Sequence, residues 1–160
     1  TRYVESCGDK AEQNKALSPT LPSNSMRIVL SWEETSPVTG TDLDSHLTGP
    51  DNDTDNVSSR FHVYYSGQKK YFYSTGTYTN CSGCSTSEKL DNVTLNRDET
   101  GGNPAYAPPG TETITVGNVK SSGTYRYSVH DYSNKNNSTS DNLSKSGTTV
   151  TVYFNDIANT

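Results

Sequence analysis

Long apolar runs are missing from this sequence. Its most apolar stretch, Met26-Arg27-Ile28-Val29-Leu30-Ser31-Trp32, falls far short of the ~20 residues a bilayer-spanning helix needs, so membrane insertion by a helix is excluded. Apolar residues make up only 29% of the chain, so any core must be thin. Positive charge is scarce as well. With 13 Lys and Arg against 18 Asp and Glu, the net charge is −5, and nothing forms the basic stripe that tracks phosphates, which excludes nucleic acid as a partner. The chain also lacks Gly-x-Ser-x-Gly, His-Glu-x-x-His and a phosphate-cradling glycine loop. Ser66-Gly67-Gln68-Lys69 matches Ser-x-x-Lys, but among 22 serines and eight lysines such a match carries no weight, and no enzymatic activity is expected.

Cysteine is sparse, with three in all. Cys81 and Cys84 form a Cys-x-x-Cys in a polar, glycine-containing loop without the βαβ setting of a thioredoxin-like motif, and a zinc site would need two further ligands. The spacing suits a small loop disulfide Cys81–Cys84, leaving Cys7 free or bonded to another chain; Cys7 bonded to either loop cysteine is the alternative.

What is abundant is Ser, Thr and Asn, together 59 of 160 residues. Val, Ile, Leu and the eleven tyrosines fall in short, spaced runs: 26–32, 41–50, 60–65, 70–73, 93–95, 113–116, 125–129 and 149–154. Within the first, Ile28, Leu30 and Trp32 alternate with polar positions, as in a half-buried strand. Seven or eight such strands between turn signals predict an all-β chain, an antiparallel β-sandwich of immunoglobulin-like or jelly-roll-like type. Residues 60–65 and 70–73 read as a hairpin around Ser66-Gly67-Gln68, and residues 76–89 as a polar loop. Residues 1–25 read as an N-terminal arm or linker, 26–156 as the sandwich and 157–160 as a tail. Beginning at Thr1 without Met, the chain reads as a mature or trimmed product with an extracellular or cell-surface address. Seven Asn-x-Ser/Thr sites, at Asn52, Asn56, Asn80, Asn92, Asn136, Asn137 and Asn142, are glycosylation candidates.

The chemistry concentrates in Thr41-Asp42-Leu43-Asp44-Ser45-His46-Leu47. In an extended segment Asp42, Asp44 and His46 share one face about 6.5–7 Å apart, so the two carboxylates repel unless a cation or donors lie between them. Asn96 and Asp98 alternate in the same way, and Glu112 follows after a Gly/Pro-rich loop. Oxygens from adjacent strand ends could surround a hard cation such as Ca²⁺, which makes Asp42, Asp44, Asp98, Glu112 and Asn96 candidate metal ligands; the plainer reading is carboxylates that cap turns and pair with Arg97, Arg60 or Lys. His46 would orient a carboxylate rather than bind a hard ion, and His62 and His130 read as surface or packed histidines. Asp51-Asn52-Asp53-Thr54-Asp55 resembles the start of an EF-hand loop, but Asn56 stands at the glycine position and His62 at the bidentate glutamate.

Leu30-Ser31-Trp32, Asp42-Leu43-Asp44-Ser45-His46-Leu47-Thr48-Gly49-Pro50 and Phe61-His62-Val63-Tyr64-Tyr65 together resemble an uncharacterised class of bacterial and archaeal cell-surface β-sandwich domains. Leu95-Asn96-Arg97-Asp98-Glu99-Thr100, Gly110-Thr111-Glu112-Thr113-Ile114, Gly123-Thr124-Tyr125-Arg126-Tyr127-Ser128-Val129 and Ser146-Gly147-Thr148-Thr149-Val150 are similar to its later motifs in the same order, over roughly 26–154. Asn96 departs from an acid in that pattern and Thr111 from a proline, and the Cys81–Cys84 loop is extra. The resemblance implies secretion, surface display and a grouping of Asp42, Asp44, Asp98 and Glu112. It implies no reaction. The expected function is a secreted structural or adhesive module, extended to a filament subunit joined through its N-terminal arm, with self-association or other surface proteins as partners. The alternative is a carbohydrate-binding module that stacks glycans on Tyr125, Tyr127 and Tyr132 or on the Tyr64-Tyr65 and Tyr71-Tyr73 pairs.

Overall fold

Alternation of apolar and polar residues sets the strands, because successive side chains in extended backbone point to opposite faces. The fold is seen in a computed structural model that describes residues 21–33, 41–51, 59–79, 81–100 and 110–155. The strands are β1 (Ser25–Trp32), β2 (Leu43–Pro50), β3 (Arg60–Val63), β4 (Lys70–Phe72), β5 (Asn92–Arg97), β6 (Gly110–Val116), β7 (Arg126–Asp131) and β8 (Thr149–Asn155). Two short helices, α1 (Thr86–Leu90) and α2 (Asn142–Lys145), lie in the connections. All strand pairs are antiparallel and form a five-stranded sheet ordered β4-β5-β6-β1-β8 and a three-stranded sheet ordered β3-β2-β7. The molecule is thus an all-β sandwich. Among the described residues no helix is long and apolar enough to cross a membrane.

Ile28, Leu30 and Trp32 point inward from β1 and meet Leu43 and Leu47 of β2, Phe61 and Val63 of β3, and Ile114 and Val116 of β6. Each such fully buried side chain contributes about 1.5–3 kcal/mol relative to exposure, and these few must offset most of the cost of ordering a polar chain. Trp32 fills one end of the core and donates its indole N–H to the Thr41 carbonyl at 3.0 Å. Gly110 lies flat against that indole, where a Cβ would stand 2.0 Å from Trp32 Cε2.

Residues 60–73 do not form the expected hairpin. β3 joins the three-stranded sheet, whereas β4 pairs with β5 in the other, so residues 64–69 carry the chain across the sandwich. Both strands bury aromatic rings against each other, with Phe61 stacked on Tyr71 at 5.2 Å between centroids, and that contact replaces strand pairing. The cysteine loop also departs from expectation, because α1 follows Cys84. Ser85 caps it, accepting from Glu88 N–H while the Glu88 carboxylate accepts from Ser85 N–H. Cys81 and Cys84 are disulfide-bonded, with Cα atoms 5.5 Å apart.

The expected N-terminal arm lies mostly outside the described residues, as do Cys7 and residues 157–160. Its last part is docked: Asn24, at φ 56°, donates to Asn118 Oδ1 at 2.7 Å and to the Val119 carbonyl, and Asn155 Nδ2 donates to the Leu21 carbonyl at 2.6 Å.

Candidate metal centre

β2 is the central strand of the smaller sheet, but β3 pairs only with Leu47–Pro50. Beside Leu43–His46 the edge facing β3 is therefore left without a strand partner among the described residues. Into that notch comes Glu112, which faces inward from β6 opposite Leu30 and is 0% exposed. Its Oε2 accepts the Ser45 N–H at 2.5 Å, so a carboxylate takes the place of a strand carbonyl. The Ser45 hydroxyl in turn bonds Tyr127 OH at 2.6 Å.

Asp44 of β2 and Asp98, just beyond β5, close the group. One carboxylate oxygen from each of Asp44, Asp98 and Glu112 lies within 4.8 Å of the others. Three atoms so spaced share a point no more than about 2.8 Å from each, close to the 2.3–2.6 Å of Ca²⁺–oxygen bonds. Asp42 lies near enough to feel Asp44 and Asp98 electrostatically. Asn96 is exposed, within the bulge between Leu95 and Arg97.

Crowding and burial both favour the protonated acids. Burial raises Glu112 to about 8, against the opposing Ser45 hydrogen bonds and with further help from the Asp98 carboxyl beside it. Asp42 rises to about 6, chiefly by burial and then through Asp44 and Asp98, while His130 and Lys135 oppose. Asp44 is raised by burial, countered by its hydrogen bond to His130. Lys69 forms an ion pair with Asp98. Two buried carboxylate oxygens, Glu112 Oε1 and Asp42 Oδ1, have no hydrogen-bond partner among the described residues. Such orphaned acceptors cost about 1–3 kcal/mol each, and a hard cation among Asp44, Asp98 and Glu112 would offset the cost at Glu112. The residues present therefore fit an oxygen-ligated divalent ion.

The histidines differ from expectation. His130, not His46, hydrogen-bonds the Asp44 carboxylate, at 3.2 Å, because β7 pairs Asp44 directly with His130. His62 of β3 and His46 of β2 meet at 2.9 Å, so all three histidines of the chain gather on the outer face of the smaller sheet. Sequence reasoning missed this grouping, since it depends on the order β3-β2-β7. Tyr64, Tyr65 and Tyr132 extend the same patch of rings. The other proposed sugar platforms are core: Tyr71 is buried, Tyr73, Tyr125 and Tyr127 pack against the apolar cluster, and Tyr73 OH bonds Tyr125 OH.

Of the sequons, Asn136 and Asn137 are exposed, whereas Asn92 is half-buried with its Nδ2 donating to the Lys89 carbonyl, and Asn142 is half-buried. Asn52, Asn56 and Asn80 lie outside the described residues, as does most of the EF-hand-like stretch. Compared with protein-family models, curated proteins and solved structures, the chain gives no match.

Proposed function

We propose that this chain is an extracellular structural module that self-associates by strand addition, its sandwich braced by a divalent cation, Ca²⁺ by ligand chemistry, at Asp44, Asp98 and Glu112. The observation that carries the reading is β8. Among the described residues it is an edge strand, bonded on one side to β1, and it exposes Val150, Val152, Tyr153 and Phe154 by 44–56%. Val150, Val152 and Phe154 pair with Leu30, Ile28 and Met26, so they continue the core face of the large sheet past the rim of the smaller one. An uncovered edge with an apolar ledge is a template for another strand.

The occupant is the N-terminal segment, residues 1–20, of a second copy. Leu21 and Asn24 sit against Asn155, so this segment joins the domain at the end of β8, on its β1 side. Its Tyr3 and Val4 supply apolar side chains for the ledge. Of the three cysteines in the sequence the disulfide uses Cys81 and Cys84, and Cys7 would supply a bridge to a neighbour's Cys7.

Light scattering and electron microscopy of the full chain and of a variant lacking residues 1–20 test the reading. The full chain forms oligomers or filaments, the shortened one stays monomeric, and Cys7→Ser yields assemblies that dissociate more readily in dilute denaturant. A monomeric full chain, or unchanged assembly after the deletion, refutes it. Glycan stacking is the second reading, favoured by the Tyr64, Tyr65 and Tyr132 patch, and a glycan array without hits removes it.

A further inference from the structure

The three histidines point to a second kind of metal site. His46 is the key residue. Its Nδ1 lies 2.9 Å from His62 Nε2, and its own Nε2 is buried with no hydrogen-bond partner among the described residues. A neutral imidazole has one N–H and one bare nitrogen. If His62 donates to His46 Nδ1, then His46 buries an N–H with no acceptor. If His46 Nδ1–H donates to His62, the bare Nε2 lone pair is buried with no donor. The second tautomer is the one a metal-ligating histidine adopts, its far N–H held by an acceptor while the other nitrogen faces the ion. Both tautomers leave Nε2 unsatisfied among the described residues, and only the second offers the lone pair that a cation takes up.

Two further ligands stand close to the His46 ring. A ring nitrogen of His46, a ring nitrogen of His130 and an oxygen of Asp44 lie within 4.8 Å of one another. His130 Nδ1 and Asp44 Oδ2 are 3.2 Å apart, close to the roughly 3.3 Å between neighbouring ligands of a tetrahedral ion bound at 2.0–2.1 Å. The strands hold the set rigidly: Asp44 and His46 are two residues apart on one face of β2, and β7 places His130 directly across from Asp44.

We propose that His46, His130 and Asp44 bind a borderline divalent transition ion of the Zn²⁺ class, with His62 fixing the His46 tautomer. Two imidazoles and one carboxylate are a donor set that Ca²⁺ does not favour and Zn²⁺, Co²⁺ or Cu²⁺ does, and three protein ligands leave a coordination position open. Asp44 also belongs to the acidic group, so its carboxylate is the hinge between a hard-ion and an imidazole site. The proposal stands independently of self-association, and because Asp44 is shared, a hard ion at the acidic group competes with it for that carboxylate.

The probe is Co²⁺ alone, titrated into chelator-stripped full-length chain without a purification tag and followed by visible d–d absorption, with Zn²⁺ as competitor. A saturable band at a single equivalent that Zn²⁺ displaces is expected. His46→Gln and His130→Asn each weaken binding at least tenfold, and His62→Gln weakens it by about tenfold, in the range for residues that orient a ligand. The His130 side chain is 41% exposed, so His130→Asn carries the test should His46→Gln fail to fold, with circular dichroism reporting the fold. Absence of a saturable band, or undiminished affinity in folded His130→Asn, overturns the site and assigns any residual binding to the surface.

Discussion

Opposite Leu30, an inward position in an alternating strand would ordinarily carry Val or Ile; β6 carries Glu112 there, between Gly110 and Ile114. A buried glutamate is costly unless it does something an apolar residue cannot. Here it takes the Ser45 N–H, which no strand among the described residues takes, and it brings a carboxylate oxygen close to Asp44 and Asp98. The chain's alternation made Asp42, Asp44, Asp98 and Glu112 visible as acids near strand ends, but not which element would fill the gap beside Ser45. Nor could it show that Asn96 would face solvent, because a bulge at 95–97 shifts the register there. With Glu112 raised to about 8, the metal-free side chain is largely protonated at neutral pH, so Glu112→Gln preserves its shape and its acceptor for Ser45. In chelator the variant should melt within about 1 kcal/mol of the parent. Ca²⁺ should stabilise the parent by about 2.7 kcal/mol at a hundredfold excess over Kd and leave the variant unmoved. Scanning calorimetry with and without Ca²⁺ decides it, and equal shifts in both proteins would remove Glu112 from the ligand set.

Among the elements, β1 was fully legible, since Ile28, Leu30 and Trp32 declare their inward face by spacing alone. The β3–β4 connection was not, because six residues containing Ser66-Gly67 suit a hairpin and a sheet-to-sheet crossing equally, and only the packing of Phe61 on Tyr71 chooses between them. α1 was present as Ser85-Thr86-Ser87-Glu88, a capping box that is easily passed over in so serine-rich a loop. β8 was legible as a strand but not as an edge. Its alternation Val150, Val152, Phe154 reads as a core face, yet the three-stranded sheet stops short of it. Lysine on an edge strand opposes pairing with a second chain. Val152→Lys, at a side chain 56% exposed, should therefore abolish assembly while changing monomer stability by less than about 0.5 kcal/mol. Analytical ultracentrifugation beside a denaturant melt separates the two effects, and assembly at the parent's strength would exclude the β8 edge as the contact.

For the molecule as a whole, the small apolar fraction leaves much of the joining of the two sheets to tyrosine. Tyr71, from the large sheet, stacks on Phe61 of the small one and donates its hydroxyl to the Asp51 carbonyl at 3.2 Å. Tyr78 OH accepts the His62 N–H at 2.7 Å, Tyr73 OH meets Tyr125 OH at 3.1 Å, and Tyr127 OH bonds Ser45 beside Glu112. Burial pushes Tyr71 and Tyr127 up to about 12, from an ordinary value near 10. A folded-state value raised above the unfolded one means that the proton is held more tightly in the folded chain. Its contribution to stability is thus complete below about pH 10 and is lost as the pH climbs towards 12, where the unfolded chain ionises first. Denaturant midpoints should accordingly fall across that window in step with tyrosinate absorbance. In a Tyr71→Phe, Tyr127→Phe double variant the alkaline slope should flatten even though the protein is weaker at pH 8, because two of the ionising groups are gone. An identical slope in the double variant would mean that other groups, and not these buried hydroxyls, set the alkaline limit of the fold.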